Sequence, residues 1–176
     1  MQHFIRLAGR EYSFNQRVFA TLAAGLLFAI IIPFTLIKQG PRLDAMFGLP
    51  GISRGFIPIV LSLMFIAVGL IYGFWSILSQ LLRARGTPLP VMPTKKLLVS
   101  GPFKQCRNPM TFGTILLYLG ISLFIGSVSA IVLVLIFGTL LLTYIKLVEE
   151  HELEARFGQQ YLDYKANTPF FIPRIF

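Results

Sequence analysis

From Met110 to Ile145 the chain runs 36 residues without one Asp, Glu, Lys or Arg. A helix rising about 1.5 Å per residue crosses a hydrocarbon core of about 30 Å in roughly twenty residues, so this run is too long for one crossing. It reads instead as two helices folded into a hairpin, turning near Gly126-Ser127-Val128-Ser129, where small and polar residues cluster. Two more uncharged runs precede it, 20 residues from Val18 to Ile37 and 27 from Phe56 to Leu82. Pro33 is tolerable in the first, because neighbouring helices can re-satisfy the freed carbonyl. The second exceeds one crossing, so its helix tilts or projects beyond lipid at the Leu81 end. With 55% apolar and 13% charged residues, the chain has more apolar surface than a water-soluble domain can hide.

The expected fold is therefore all-α: a single integral-membrane domain over 1–176, built as a bundle of four transmembrane helices. The spans are expected at about 18–37, 56–82, 110–126 and 129–148, with a loop at 83–109 and a tail at 149–176 that includes an amphipathic helix. The first run is too long for the apolar core of a signal peptide, and three arginines and Glu11 precede it. Residues 38–55 are broken by Gly and Pro and read as a loop, with a short interfacial piece around Leu43 to Leu49. In the tail, Leu153, Phe157, Tyr161 and Tyr164 recur near helical spacing with charges between them, which fits a surface helix that Gly158 caps or kinks.

Charge distribution sets the expected orientation. If both termini and the 83–109 loop face the cytoplasm, thirteen Lys and Arg lie inside and three outside, as the positive-inside rule prefers. Topology thus accounts for most of the formal +9 charge, and no nucleic-acid partner is expected. One cysteine, Cys106, and two histidines, His3 and His151, supply neither an internal disulfide nor a zinc-binding spacing, so no metal is expected. Cys106 and His151 read as bystanders.

Two polar clusters lie on the expected cytoplasmic side. The first is LLVSGPFKQCRNPMTFG, Leu97 to Gly113. Asn108-Pro109 reads plainly as a helix start, with Asn as cap and Pro at the first helical position. Its functional reading is a positive concavity, made by helix-end N–H groups and Arg107, that would receive a carboxylate or phosphate. The second cluster, Glu149-Glu150, reads either as a solvated turn or as a carboxylate pair, one to hold a cationic ligand and one to orient or deprotonate an acceptor. Gly69 and Gly73 form a small-x-x-x-small pair suited to close helix contact. Tyr72, Trp75, Phe103 and Tyr118 serve as packing or interfacial residues, or line a cleft for a lipid tail.

The fragments G-T-P-x-P (Gly86 to Pro90), P-x-K-K-L-L-V-x-x-G-P-F (Pro93 to Phe103), R-N-P-M-x-x-G (Arg107 to Gly113) and E-E-x-x-L-x-x-x-F-G-x-x-Y-x-x-Y (Glu149 to Tyr164) follow one another around the apolar hairpin. Together they resemble the isoprenylcysteine carboxyl methyltransferase family, with its prokaryotic relatives and the related phospholipid N-methyltransferases. The resemblance covers roughly Gly86 to Pro173. It implies a membrane bundle whose last two spans and cytosolic segments enclose S-adenosylmethionine, while a lipid-like acceptor, carboxylate or amine, arrives from the bilayer. Cofactor contacts would come from Leu98, Val99, Gly101, Pro102, Phe103, Arg107, Asn108, Pro109, Gly113, Glu149 and Glu150. The catalytic candidates it implies are Glu149, Glu150 and Arg107. A steroid-reductase type of membrane enzyme, binding a reduced nicotinamide phosphate near Lys95, Lys96 and Arg107, is the alternative. A non-catalytic membrane protein or small transporter is a third, although spans with no ionisable group besides tyrosine offer an ion pathway little.

Overall fold

The computed structural model describes residues 13–53, 55–84 and 96–174, and among these it is helical with no strand. A first helix, α1 (Phe14–Gly25), passes through a π turn (Leu26–Ile31) into α2 (Ile32–Phe47). Next comes α3 (Phe56–Ser79), which ends in a second π turn (Gln80–Ala84). After the short α4 (Pro102–Gln105), α5 (Pro109–Ile125) and α6 (Val128–Tyr144) form the hairpin. A third π turn (Ile145–Glu149) leads into α7 (Glu150–Phe157), and α8 (Gln159–Asn167) follows.

Among the described residues three continuous helices are long and apolar enough to cross a membrane: Val18–Phe47, Phe56–Arg83 and Val128–Phe157. Their outer faces carry exposed residues such as Phe19, Phe56, Ile71 and Leu140, which water would not support but lipid does. The protein is an integral membrane protein. The helix Pro109–Ile125 is apolar but shorter.

The hairpin turns at the expected place. Gly126 takes a left-handed conformation, φ 72°, and the Ser127 hydroxyl accepts the Ala130 amide at 3.1 Å to cap α6. Gly158, φ 53°, likewise separates α7 from α8.

The expected loop at 38–55 is corrected: the helix runs on to Phe47 with Pro41 inside it and stops only at Gly48, φ 63°. Contacts with the hairpin end hold this extension. Gly40 lies so close to α6 that a methyl group there would stand 2.8 Å from Ser127 Oγ and 2.9 Å from Ala130 Cβ. The buried Asp44 accepts the Ser129 amide at 2.7 Å, adding a carboxylate to the N-terminus of α6.

Pro33 is accommodated by similar means. In the π register of Leu26–Ile31, the group due to bond the Phe28 carbonyl is the amide of residue 33, which proline lacks. The Tyr118 hydroxyl donates to that carbonyl instead, at 2.6 Å. Tyr118 is 1% exposed and belongs to the core with Leu36, Ile115, Ala130 and Val134, so it lines no cleft.

The closest helix pair is α3 with α5, meeting through glycine. A methyl on Gly69 would stand 2.6 Å from Leu117 N, one on Gly113 2.7 Å from Gly69 O, and one on Gly120 2.8 Å from Ser62 O. Fully buried Ser62 and Ser76 lie on the same helix as Gly69. The small-residue pair expected in α3 therefore divides. Gly69 makes the contact, whereas a methyl on Gly73 would meet nothing within 4 Å.

Candidate active site

At the opposite end of α5 from the hairpin turn, the tail folds back over the 96–109 segment. The Arg107 amide donates to Pro169 O at 2.9 Å, and the Arg174 amide to Gln105 O at 2.9 Å. The Asn108 side chain donates to Phe170 O at 2.9 Å, and the Tyr164 hydroxyl to Phe103 O at 2.6 Å. Tyr72 of α3 donates to Gln105 Oε1 at 2.7 Å, tying the segment to the bundle. An aromatic row of Tyr72, Phe112 and Phe171, with centroids 5.1 and 5.6 Å apart, fills the space beneath.

Arg107 is the hub. Its guanidinium reaches Glu150 Oε1 at 2.9 Å, the Lys165 carbonyl at 2.7 Å and the Thr168 carbonyl at 3.2 Å, and it packs 5.6 Å from the Phe170 ring centre. Glu150 is 3% exposed, and Lys165 Nζ lies 3.1 Å from its second oxygen and 2.6 Å from Glu154. These carboxylates hold the Lys165 ammonium above its usual pKa, with Glu154 the larger influence. Tyr161 and Tyr164 back the cluster. Burial, followed for Tyr161 by the adjacent Glu150 carboxylate, raises both phenols. The cluster is charge-compensated within itself, and it clamps loop, last long helix and tail together.

The two expected clusters thus meet, at the Arg107–Glu150 pair. The positive concavity expected at Asn108 does not form as such. The Asn108 side chain makes no cap bond to α5, because it is committed to the Phe170 carbonyl, and the charge of Arg107 is already met by Glu150. The two adjacent acids divide between them. Glu150 turns into the cluster, whereas Glu149 is exposed, makes no ion pair or hydrogen bond among the described residues, and has Glu152 and Glu150 as its charged neighbours. The π turn of Ile145–Glu149 sets that phase by adding a residue to the helical turn ahead of them.

Other expected site residues fall as follows. Leu98 is half-buried and Val99 exposed, both in the irregular chain leading to Gly101, which adopts φ 64° and ψ −132°. Pro102 and Pro109 are fully buried, each opening its helix, while Phe103 and Asn108 are partly exposed. Gly113 is a packing residue facing Gly69, Gly73 and Tyr72. The Gly86–Pro90 fragment and Lys95 lie outside the described residues, and Lys96 is exposed. Lys165, Thr168 and Pro169 complete the clamp without any sequence signal to single them out, since all three contribute a backbone carbonyl. A cavity of about 350 Å³ lies at the hairpin end, lined by Pro41, Asp44 and Gly126 among others, a helix length from these residues.

A membrane-embedded helical bundle with a compensated polar cluster at one end defines the class. The phospholipid methyltransferase family model matches residues 57–160, more than half the chain. The protein belongs to that family of integral-membrane methyltransferases, which is related to the isoprenylcysteine carboxyl methyltransferases. No curated protein and no solved structure matches it.

Proposed function

We propose that the protein transfers a methyl group from S-adenosylmethionine to a lipid-like or membrane-partitioned small-molecule acceptor, a carboxylate or an amine. The observation that carries this reading is the meeting of the two motif clusters at Arg107 and Glu150, 2.9 Å apart, in a chain of this family. Pro109–Ile125 serves as a fourth crossing beside the three longer ones, and the termini and clamp face the cytoplasm, where a water-soluble donor is at hand.

The residues present fit that donor. It is a sulfonium cation with an amino-acid head and an adenine ring, and Glu149 is an ionisable carboxylate with no cation of its own among the described residues. Glu149 would hold the positive charge, with Leu98, Val99, Gly101 and Phe103 alongside; when bound, the donor supplies an electrophilic methyl. Glu150 and Arg107 act as positioning residues, keeping the 96–109 segment and the tail at fixed separation so that donor and acceptor meet in line, away from water. A carboxylate acceptor needs no base, whereas an ammonium acceptor must first lose a proton, a role open to Glu149.

Binding to purified protein tests the reading. S-adenosylmethionine is expected to raise the unfolding temperature, and reduced nicotinamide adenine dinucleotide phosphate to leave it unchanged. Glu149→Gln is expected to weaken the sulfonium donor about tenfold and its uncharged thioether product, S-adenosylhomocysteine, much less, because only the former presents the charge that Glu149 meets. Stabilisation by the nicotinamide alone, or equal loss of both ligands, would overturn it.

A further inference from the structure

Donor groups on α3, outside every sequence motif that marks the family here, converge on Gly101. A methyl group placed on Gly101 would stand 3.4 Å from Ser79 Oγ, 3.5 Å from Arg83 Nη1 and 3.5 Å from Trp75 Nε1. These three side chains come from positions i, i+4 and i+8 of the continuous helix Phe56–Arg83, α3 with its π turn, and the missing glycine side chain leaves among them a space the size of one methyl or oxygen. Gly101 also sits in a backbone conformation that L side chains rarely adopt, so this opening is built into the chain.

Among the described residues the donors are not spent elsewhere. Ser79 is 4% exposed and makes no hydrogen bond among the described residues, nor does the Trp75 indole N–H. Arg83 makes one long contact, 3.5 Å to Ser100 Oγ. Next to Trp75 in the chain, the buried Ser76 Oγ also lacks a partner among the described residues. A hydroxyl held in the fold without a partner gains from a ligand that accepts its hydrogen bond. An indole N–H, a hydroxyl and a guanidinium have one ligand chemistry in common: they donate to an oxyanion. Arg107, at the far end of the same segment, is already paired with Glu150.

We propose that Trp75, Ser79 and Arg83 form, over Gly101, an oxyanion subsite that takes a carboxylate or phosphate group of a ligand of the methyl-transfer reaction. The proposal rests on the methyltransferase reading above. The oxyanion has two possible sources, the carboxylate of the donor's amino-acid head or the phosphate of an acceptor lipid, and in either case α3 fixes where that ligand lies relative to Glu149.

Two pairs of probes, each differing by the oxyanion alone, test it on the full-length protein in detergent micelles. The first is S-adenosylhomocysteine against its analogue lacking the carboxylate. The second is dihexanoyl phosphatidic acid against dihexanoylglycerol. In the wild type the oxyanion-bearing member of at least one pair is expected to bind about tenfold tighter. That preference should drop below about threefold in Arg83→Gln and Trp75→Phe, and persist in Lys38→Gln, a charge-loss control far along the chain. Ser79→Ala, which removes a single oxygen, replaces Trp75→Phe if that variant does not fold. A preference confined to the first pair names the donor carboxylate as occupant, and one confined to the second names the lipid phosphate. No preference in either pair, or one undiminished in Arg83→Gln and in Trp75→Phe or its replacement, overturns the subsite. Failure of both S-adenosyl compounds to bind defeats the methyltransferase reading instead, and the lipid pair then decides the subsite alone.

Discussion

Gly69→Ala and Gly73→Ala are the same chemical change, one helical turn apart on α3, and they should act in opposite directions. A methyl at Gly69 would stand 2.6 Å from Leu117 N, 2.7 Å from Gly113 O and 2.9 Å from Leu117 Cα. All three are backbone atoms of α5, which cannot rotate away, and ordinary contact begins near about 3.5 Å. The helices must therefore part by roughly 1 Å, and overpacking of this kind costs about 1–3 kcal/mol. At Gly73 a methyl meets nothing within 4 Å. There the substitution keeps only its helix-propensity gain, about 0.5–1 kcal/mol. That gain is common to both variants, so they should differ by the overpacking cost, about 1–3 kcal/mol, or roughly 2–12 °C in unfolding temperature for a chain of this size.

The protein carries its own reporter for that measurement. Cys106 is its single cysteine, 0% exposed, and burial pushes its thiol up to about 11. A maleimide fluorophore at neutral pH should therefore label it only as the structure opens. Heating the detergent-solubilised protein with such a dye is expected to give a midpoint below wild type for Gly69→Ala and at or above it for Gly73→Ala. Gly113→Ala, whose methyl would stand 2.7 Å from Gly69 O and 2.8 Å from Gly73 N, should behave like the former. If Gly69→Ala melts with or above Gly73→Ala, α3 and α5 do not pack as described.

The same thiol assay addresses two further points. Glu150→Gln leaves the buried Arg107 without its counter-charge and should destabilise by about 3–5 kcal/mol, whereas adding Arg107→Met should recover part of the loss. Strict additivity of the two would show that the pair does not hold tail to loop. Tyr118→Phe removes the side-chain donor to the Phe28 carbonyl and should cost about 1–3 kcal/mol. Pro33→Ala restores an amide in the right register and should relieve that cost in the double variant. No relief would mean that the proline is not what leaves the carbonyl open.

The sequence alone determined where lipid is met. Uncharged runs of 20, 27 and 36 residues demand helices of membrane length, and the last must turn back on itself near Gly126. Transfer free energy is a property of composition, readable residue by residue, and so are the ordered motifs from Gly86 to Tyr164 that carry the family resemblance. Composition could not show that the first helix continues through Pro33 and Pro41. Proline inside a helix costs it a hydrogen bond, and contacts made by other helices offset that cost: Tyr118 at the Phe28 carbonyl, and Ser127, Ala130 and Ser129 at Gly40 and Asp44. Nor could it separate Gly69 from Gly73, or Glu149 from Glu150. Within each pair the residues are alike in type, and their roles differ through helix phase: one member faces a neighbour, and the other faces open space. Phase is set by π turns and packing partners distant in the chain, so it became visible only once the tail lay against Arg107 and α5 against α3.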